Sequence, residues 1–164
     1  MVEGSRTDGE PRHGFLVDEV CVLIPRATQS QYLPGVTVFP VPRATPRLRG
    51  LVHWRGQGVV AIDVVDQPSA QLPVIGCCDL LLIGHDDNAI ALLQGAPPQV
   101  VRLADVRSKI ADAPTKPLCW LSDALLEPRM DENRQVWWEL DMAEIAQRMH
   151  SSGQGKSELA NPND

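Results

Sequence analysis

The chain has 164 residues, a net charge of −6 and a hydrophobic content of 43%. This length suits one domain, or two small subdomains that share a core. The negative charge argues against a nucleic-acid partner, because such binding depends on Lys and Arg displacing counterions from phosphates. No apolar run approaches the roughly 20 residues that span a bilayer, and the first residues lack the apolar core of a signal peptide. We therefore expect a cytoplasmic protein with no direct membrane insertion.

The two ends of the chain differ in composition from its middle. Residues 1–13 and 151–164 are polar and cannot bury enough apolar surface to offset their ordering entropy. They are predicted to form a flexible N-terminal arm and a disordered C-terminal tail around a folded domain at residues 14–150. Fourteen prolines and twelve glycines interrupt the chain too often for long helices, which favours short strands joined by turns.

Short apolar runs bounded by turn-forming residues predict the strands. In chain order they are residues 15–17, 20–24, 36–39, 51–54, 59–65, 80–83, 89–93, 100–103, 118–126 and 136–140. Residues 128–134 are predicted to be a long hairpin loop. After Asp141, which can cap a helix, apolar residues recur at helical spacing. The sequences at 59–64 and 136–142 are weakly similar, which indicates two related lobes.

Residues 46–64, PRLRGLVHWRGQGVVAIDV, carry the most informative pattern in the chain. Pro46 suits the first position of a short helical turn, and Gly50 can end that turn at positive φ. Gly56 and Gly58 permit a sharp reversal between two apolar runs. The second run closes on Asp63. No nucleophile stands beside a base here, so the pattern indicates a scaffold and not a catalytic site.

Other candidate sites have simpler structural interpretations. The HDD tripeptide at residues 85–87 could contribute to a metal site, but a hairpin turn explains it better. The GQG at residues 56–58 lacks the lysine of a phosphate-binding loop, and Ser122 lacks a nearby histidine. We therefore predict no catalytic, metal or cofactor-binding residue and no enzyme. The four cysteines are expected to be small hydrophobic residues of a reduced protein.

Tryptophans and charges offer candidates for partner binding. Trp137 and Trp138 are consecutive, so on a strand they point to opposite faces, and one of them faces solvent, the other lobe or a partner. Residues 26–55 contain arginines but no acidic residue, whereas residues 123–144 contain seven acids. We expect the arginine segment to form part of a docking face for an acidic protein. Its arginines are Arg26, Arg43, Arg47, Arg49 and Arg55.

Residues 46–64 also resemble the CheW-like domain, the coupling protein of bacterial chemosensory arrays. That family shows Gly-hydrophobic-hydrophobic-Asn-Leu-Arg-Gly and then a strand ending in Asp. The matching residues are Gly50, Leu51, Val52, Arg55, Gly56, Val60, Ile62 and Asp63, whereas His53 and Trp54 replace the usual Asn and Leu. The segments VLIP at 22–25 and YLP at 32–34 are similar to the type IV pilus variant. The resemblance extends over about residues 15–149.

The resemblance implies an all-β fold of two five-stranded, SH3-like barrels with a hydrophobic groove between them, to which the predicted C-terminal helix is added. It also implies a non-enzymatic adaptor that couples methyl-accepting chemoreceptors to a CheA-type histidine kinase. The type IV pilus features favour twitching motility over flagellar chemotaxis. Such an adaptor would be recruited to membrane-attached receptor arrays. Two alternatives remain: an enzyme of unrecognised type on a β-barrel scaffold, and a binding module of an unrelated SH3-like family.

By position in the motif, the resemblance places Arg55, Gly50 and Gly56 near the kinase-binding edge. Receptor contacts are expected on apolar strand residues of the first lobe, at Val36 and Val38. The complete set of predicted partner-binding residues is Val36, Val38, Arg47, Arg49, Gly50, Trp54, Arg55 and Gly56.

Overall fold

The computed structural model describes residues 11–43, 45–68, 77–104 and 114–153. Ten strands and one α-helix make up this part of the chain. The strands are β1 Arg12–Val17, β2 Val20–Leu23, β3 Ser30–Thr37, β4 Leu48–Trp54, β5 Gln57–Ile62, β6 Cys77–Ile83, β7 Ile90–Leu93, β8 Gln99–Val101, β9 Leu125–Met130 and β10 Val136–Leu140. The helix is α1, Met142–Gly153.

The strands form two five-stranded sheets that interleave along the chain. One sheet has the order β3-β6-β7-β5-β4, and we call this the central lobe. The other has the order β8-β1-β2-β10-β9, and with α1 it forms the terminal lobe. The terminal lobe therefore contains both the first and the last of the described strands, and its β2 pairs in parallel with β10.

A single β-bridge closes each sheet on itself. Phe39, just beyond β3, bridges Leu51 of β4 in the central lobe. Leu103, just beyond β8, bridges Asp131 at the end of β9 in the terminal lobe. Closure leaves few unpaired strand edges, which is how small antiparallel barrels avoid edge-to-edge association. The predicted fold of two five-stranded barrels with a short C-terminal helix is confirmed.

The apolar residues form three clusters. One fills the central barrel, around Val52, Ala61 and Leu80. A second fills the terminal barrel, around Leu23 and Trp137. The third and largest lies between the lobes and also contacts α1. Its members are Phe15, Val17, Val22, Ile24, Ile62, Val64, Leu81, Ile83, Leu92, Leu121, Ala124, Leu125, Trp138, Leu140 and Ile145. The alternation of strand residues explains this arrangement, since one face fills a barrel and the other meets the neighbouring lobe.

Both consecutive tryptophans are buried, on opposite faces of β10. Trp137 lies in the terminal barrel, where its Nε1 donates to Oδ2 of Asp131 at 2.9 Å. Trp138 lies in the cluster between the lobes. Neither indole is therefore available to anchor a partner. Cys21 lies in the same barrel, and burial raises the pKa of its thiol, in keeping with a hydrophobic role.

Two predicted strands have different limits in the structure. The prediction at 36–39 is too late, because β3 starts at Ser30 and continues through a bulge between Leu33 and Val36. The prediction at 118–126 is also wrong, because a 3-10 turn at Ser122–Ala124 precedes the strand. β9 then runs through Pro128 into the region predicted as a loop. It is an edge strand of its sheet, because it pairs with β10 on one side and the other side has only the bridge between Leu103 and Asp131. Proline is tolerated in such a strand.

The chain ends also differ from their predicted boundaries. Arg12 and His13, assigned to the flexible arm, belong to β1, and α1 extends to Gly153 within the predicted tail. Residues 1–10 and 154–164, which hold most of the predicted arm and tail, lie outside the described residues. In the described part, no helix has both the length and the apolar character to cross a membrane.

Candidate docking surface

The 46–64 motif folds as the hairpin of β4 and β5 in the central lobe. Trp54 pairs with Gln57 across a two-residue turn whose central residues, Arg55 and Gly56, have φ angles of 47° and 81°. Positive φ at both positions fits the twist of a β-hairpin. Gly58 lies in β5 opposite His53, so its predicted part in the reversal is wrong. The predicted reversal at Gly56 is confirmed.

Gly50 has a different role from the one predicted. It lies within β4 and does not end a helical turn; the turn before it is a single one, closed by a hydrogen bond from Leu48 N to Thr45 O. Gly50 has φ +146°, and a Cβ there would lie 2.1 Å from the carbonyl oxygen of Phe39. Phe39 is the residue that closes the central barrel. Only glycine permits this approach, so Gly50 serves barrel closure and lies buried.

Arg49 is buried as well, with 5% of its surface exposed. Its Nη2 lies 3.1 Å from Oδ2 of Asp63, so the two ends of the motif are joined by an ion pair. The other carboxylate oxygen of Asp63 accepts from Val65 N at 3.2 Å. Arg49 therefore holds the hairpin together from within, and its predicted place among surface docking residues is wrong.

Arg47 joins the two lobes. Its Nη1 donates to the carbonyl oxygens of Asp63 and Val65, each at 2.7 Å. Its guanidinium also lies 4.2 Å from the ring centroid of Trp120, which Arg148 of α1 contacts at 5.1 Å. Burial lowers the pKa of the Arg47 guanidinium, although the nearby acidic groups act in the opposite direction. These contacts occupy Arg47 in tying the motif to the terminal lobe.

Arg55 and Trp54 remain at the tip of the hairpin. The Arg55 side chain is exposed, and its guanidinium lies 5.3 Å from the ring centroid of Trp54, which packs on the central core. Both residues line an open pocket of ≈ 330 Å³ at the mouth of the central barrel, which we call the tip pocket. Its other lining residues include Gln31, Gln57, His85 and Asp86. This mixed lining of an indole, a cation, a carboxylate and amides can accept a polar or charged group of a partner.

The predicted receptor residues are only partly accessible. Val38 is 8% exposed and belongs to the central core, so its predicted role in surface contacts is wrong. Val36 is half-buried on β3. The exposed apolar side chains in this region belong to the closing pair instead, at 59% for Phe39 and 40% for Leu51. We call Phe39 and Leu51 the apolar strip. The sequence contained one indication of it, because Phe39 follows Val38 in the alternation of inward and outward positions.

The candidate metal tripeptide lies in an exposed turn. Asp86–Asn88 form a 3-10 turn between β6 and β7, closed by a hydrogen bond from Ala89 N to Asp86 O. The described residues contain no group of three or more His, Cys, Asp or Glu side chains placed to hold a metal ion. The hairpin-turn interpretation of residues 85–87 is confirmed.

No protein-family model matches the sequence, and no curated protein matches it. Among solved structures, the crystal structure of the scaffolding protein TtCheW from Thermoanaerobacter tengcongensis matches with a TM-score of 0.57. The alignment covers 80% of this chain and 88% of that chain, at 12% sequence identity. This chain has the CheW fold. The resemblance indicated by residues 46–64 is thereby confirmed at the level of architecture.

In this CheW fold, the eight predicted partner-binding residues separate into two groups. Arg55, Gly56 and Trp54 lie together at the hairpin tip, and Val36 lies half-buried on β3. The others act inside the protein or between its lobes: Val38, Arg47, Arg49 and Gly50. The tip pocket and the apolar strip are both exposed features of the central lobe among the described residues.

Proposed function

We propose that this chain is a non-enzymatic adaptor of a bacterial chemosensory system, coupling methyl-accepting chemoreceptors to a CheA-type histidine kinase. The pathway we favour is type IV pilus twitching motility, with the adaptor cytoplasmic and recruited to membrane-attached receptor arrays. The closed double barrel and the likeness to a scaffolding protein support a role in holding partners together. Such an adaptor would let receptor state bias the kinase through differential contacts.

The observation that carries the proposal is the position of Arg55, exposed at the tip of the hairpin and on the rim of the tip pocket. An L-residue with φ 47° bears a strain of about 1 kcal/mol, which Gly or Asn would largely avoid in this turn. Arg55 places an exposed cation at the end of a rigid hairpin. We therefore assign the kinase contact to the tip pocket, with Arg55 facing an acidic group of the kinase's CheW-like regulatory domain.

Replacing Arg55 with Asn should lower the affinity for that kinase domain by about 30-fold, the effect of losing one central binding residue. The free energy of unfolding should stay constant or rise by up to about 1 kcal/mol, because Asn tolerates the left-handed conformation. Calorimetric titration at two salt concentrations measures the affinity, and urea unfolding measures the stability. Wild-type affinity should fall with salt more steeply than that of the variant.

Arg134 supplies a matched control for this measurement. It is an exposed arginine at φ 63° in a turn of the terminal lobe, so Arg134→Asn removes the same charge from the same backbone conformation. Arg134→Asn should leave kinase affinity within about twofold of wild type. Equal losses for the Arg55 and Arg134 variants would show that only net charge matters and would remove the tip pocket from the proposal.

The apolar strip is the proposed receptor contact. Phe39 and Leu51 are neighbouring, exposed and apolar, which suits the apolar face of a helical hairpin. Phe39→Ser should weaken binding to a receptor cytoplasmic fragment by at least about tenfold, as expected when one aromatic anchor is lost. Kinase affinity should be unchanged, because Phe39 lies outside the tip pocket. Pull-down with the purified receptor fragment provides the measurement.

Val100→Ser is the control for Phe39→Ser, since Val100 is 61% exposed but lies on the terminal lobe. Receptor binding that survives Phe39→Ser, or that falls equally in both variants, would contradict the assignment.

Co-purification from the native cell tests the function as a whole. Recovery with pilus-system partners supports the favoured pathway, and recovery with flagellar partners supports the flagellar alternative. Recovery with neither kinase nor receptor would favour an enzyme or an unrelated binding module.

A further inference from the structure

The tip pocket is bordered by a second turn, whose charge is opposite in sign to that of Arg55. Asp86 lines the pocket together with Arg55, and Asp87 is exposed next to it on the same 3-10 turn. This turn leads into β7, whereas the hairpin turn that contains Arg55 leads into β5. The two strands are parallel neighbours, with Val60 beside Ile90. The two turns therefore lie side by side at the same end of the sheet.

Backbone hydrogen bonds fix the position of the 3-10 turn. Ala89 N donates to Asp86 O at 3.2 Å, and Gly84 N, just before the turn, donates to Gln29 O at 2.8 Å. Gly84 has φ +95°, and a Cβ there would lie 2.6 Å from the carbonyl oxygen of Asn88, so the chain folds closely back on itself. The carboxylate of Asp86 takes no part in these contacts. It is therefore free to meet a group of a partner without disturbing the turn.

The charges at the tip are not paired within the protein. Arg55, Asp86 and Asp87 form no ion pair with any residue that the structure describes. In contrast, the buried Asp63 pairs with Arg49 at 3.1 Å. A single exposed charge adds little to stability. Opposite charges held on two fixed turns around one pocket, however, are suited to pairing with charges on another protein.

The charge balance at the tip limits the kind of surface that can dock there. Arg55 supplies one positive charge against the two negative charges of Asp86 and Asp87, with histidine counted as neutral. A uniformly acidic surface would be attracted by Arg55 and repelled by both aspartates. A surface with an acid opposite Arg55 and a base opposite Asp86 gains from both contacts. Such a pattern also fixes orientation, because a rotated partner would bring like charges together.

We infer that the tip pocket binds a surface of mixed charge, with a carboxylate of the partner against Arg55 and a lysine or arginine of the partner against Asp86. This inference rests on the proposed function, because the partner is the kinase's CheW-like regulatory domain. It replaces the general attraction to an acidic protein, expected from the arginines of residues 26–55, with two contacts of opposite sign.

The substitution Asp86→Asn tests the second contact, because mixed-charge and acidic partner surfaces predict opposite changes in affinity. It removes one negative charge and keeps the shape of the side chain, and Asn tolerates the φ of 49° at this position. We expect the affinity for the purified kinase domain to fall by at least about fivefold in calorimetric titration. The loss should be smaller at higher salt. An acidic partner surface would instead bind this variant more tightly than the wild type.

Asp18→Asn is the matched control. Asp18 is an exposed aspartate at φ 51° in the turn between β1 and β2 of the terminal lobe, so this change removes the same charge from a similar backbone conformation. Its Oδ2 accepts from Asp66 N at 3.1 Å, and the amide oxygen of Asn can keep that hydrogen bond. Kinase affinity should stay within about twofold of wild type.

The outcomes separate this inference from the proposed function. Weaker binding by both Arg55→Asn and Asp86→Asn supports the mixed-charge surface. A loss in only one of these two variants, or equal losses in the Asp86 and Asp18 variants, overturns the inference and leaves the kinase as partner. Absence of wild-type binding overturns the kinase contact and the inference together. Asp86→Gly, which also accepts positive φ, is the second neutral variant if urea unfolding shows that Asp86→Asn alters folding.

Discussion

Replacing Gly50 with alanine should lower the free energy of unfolding by at least about 3 kcal/mol, the largest effect expected of an alanine at any described glycine. The added Cβ would stand 2.1 Å from the carbonyl oxygen of Phe39 and 2.9 Å from Cγ1 of Val38. The first of these atoms belongs to the backbone and cannot rotate away. In addition, the φ angle of +146° is unfavourable for any L-residue with a side chain. The strand would have to withdraw from Phe39 and open the barrel.

Gly58 provides the control on the same hairpin. A Cβ at Gly58 meets no heavy atom within 4 Å, so Gly58→Ala should change stability by less than about 1 kcal/mol, in the direction of greater stability if chain entropy dominates. Urea unfolding followed by tryptophan fluorescence measures both variants. A Gly50→Ala protein as stable as Gly58→Ala would refute the role of Gly50 in closure.

Replacing Arg49 with methionine should destabilise the protein by about 3 kcal/mol, the second-largest expected effect. Methionine fills much of the same volume, but it leaves the Asp63 carboxylate without the guanidinium that lies 3.1 Å away. Removing one partner of a buried pair strands a charge in a poorly solvated site, which costs more than the pair itself contributes. Asp63 is 8% exposed and has little access to water as a substitute.

The double-mutant cycle isolates this interaction. Asp63→Asn alone should also destabilise, and Arg49→Met combined with Asp63→Asn should cost less than the sum of the single changes, because no charge is then stranded. Arg102→Met, at an exposed arginine, is the control and should change stability by less than about 0.5 kcal/mol. Strictly additive single changes would show that the two side chains act independently.

Much of the fold could be predicted from the sequence, because both of its main patterns are local. Alternating apolar runs bounded by turn residues located most strands, and the capping pattern at Asp141 located the helix. Its Oδ1 indeed accepts from the backbone N of Ala143 and Glu144. The predicted strand at 118–126 is wrong because an apolar stretch does not distinguish a 3-10 turn, here Ser122–Ala124, from a strand. Pro128 predicts a loop from sequence alone, because the sequence does not show that Pro128 pairs with Trp138 in an edge strand.

The candidate site was harder to predict, because burial there depends on contacts between distant residues. Arg49 and Asp63 are 14 residues apart in the sequence, and Arg49 lies where a bulge between Leu48 and Gly50 shifts the register of β4 against β5. The pattern of charges along the sequence does not distinguish buried from exposed arginines, so it predicts a surface position for both Arg47 and Arg49. Val38 and Phe39 are consecutive, so one faces the barrel interior and the other faces solvent. A prediction that is one position off therefore names the buried Val38 in place of the exposed Phe39.

The parallel pairing of β2 with β10 has a consequence for biogenesis. Val22 lies beside Trp138, so the hairpin of β1 and β2 meets its β10 neighbour only after the whole central lobe has been synthesised. The central lobe, made of consecutive segments, is available to fold earlier. Until β10 is made, the outer edge of β2 stays unpaired, whereas β1 on the other side of the hairpin can already pair with β8.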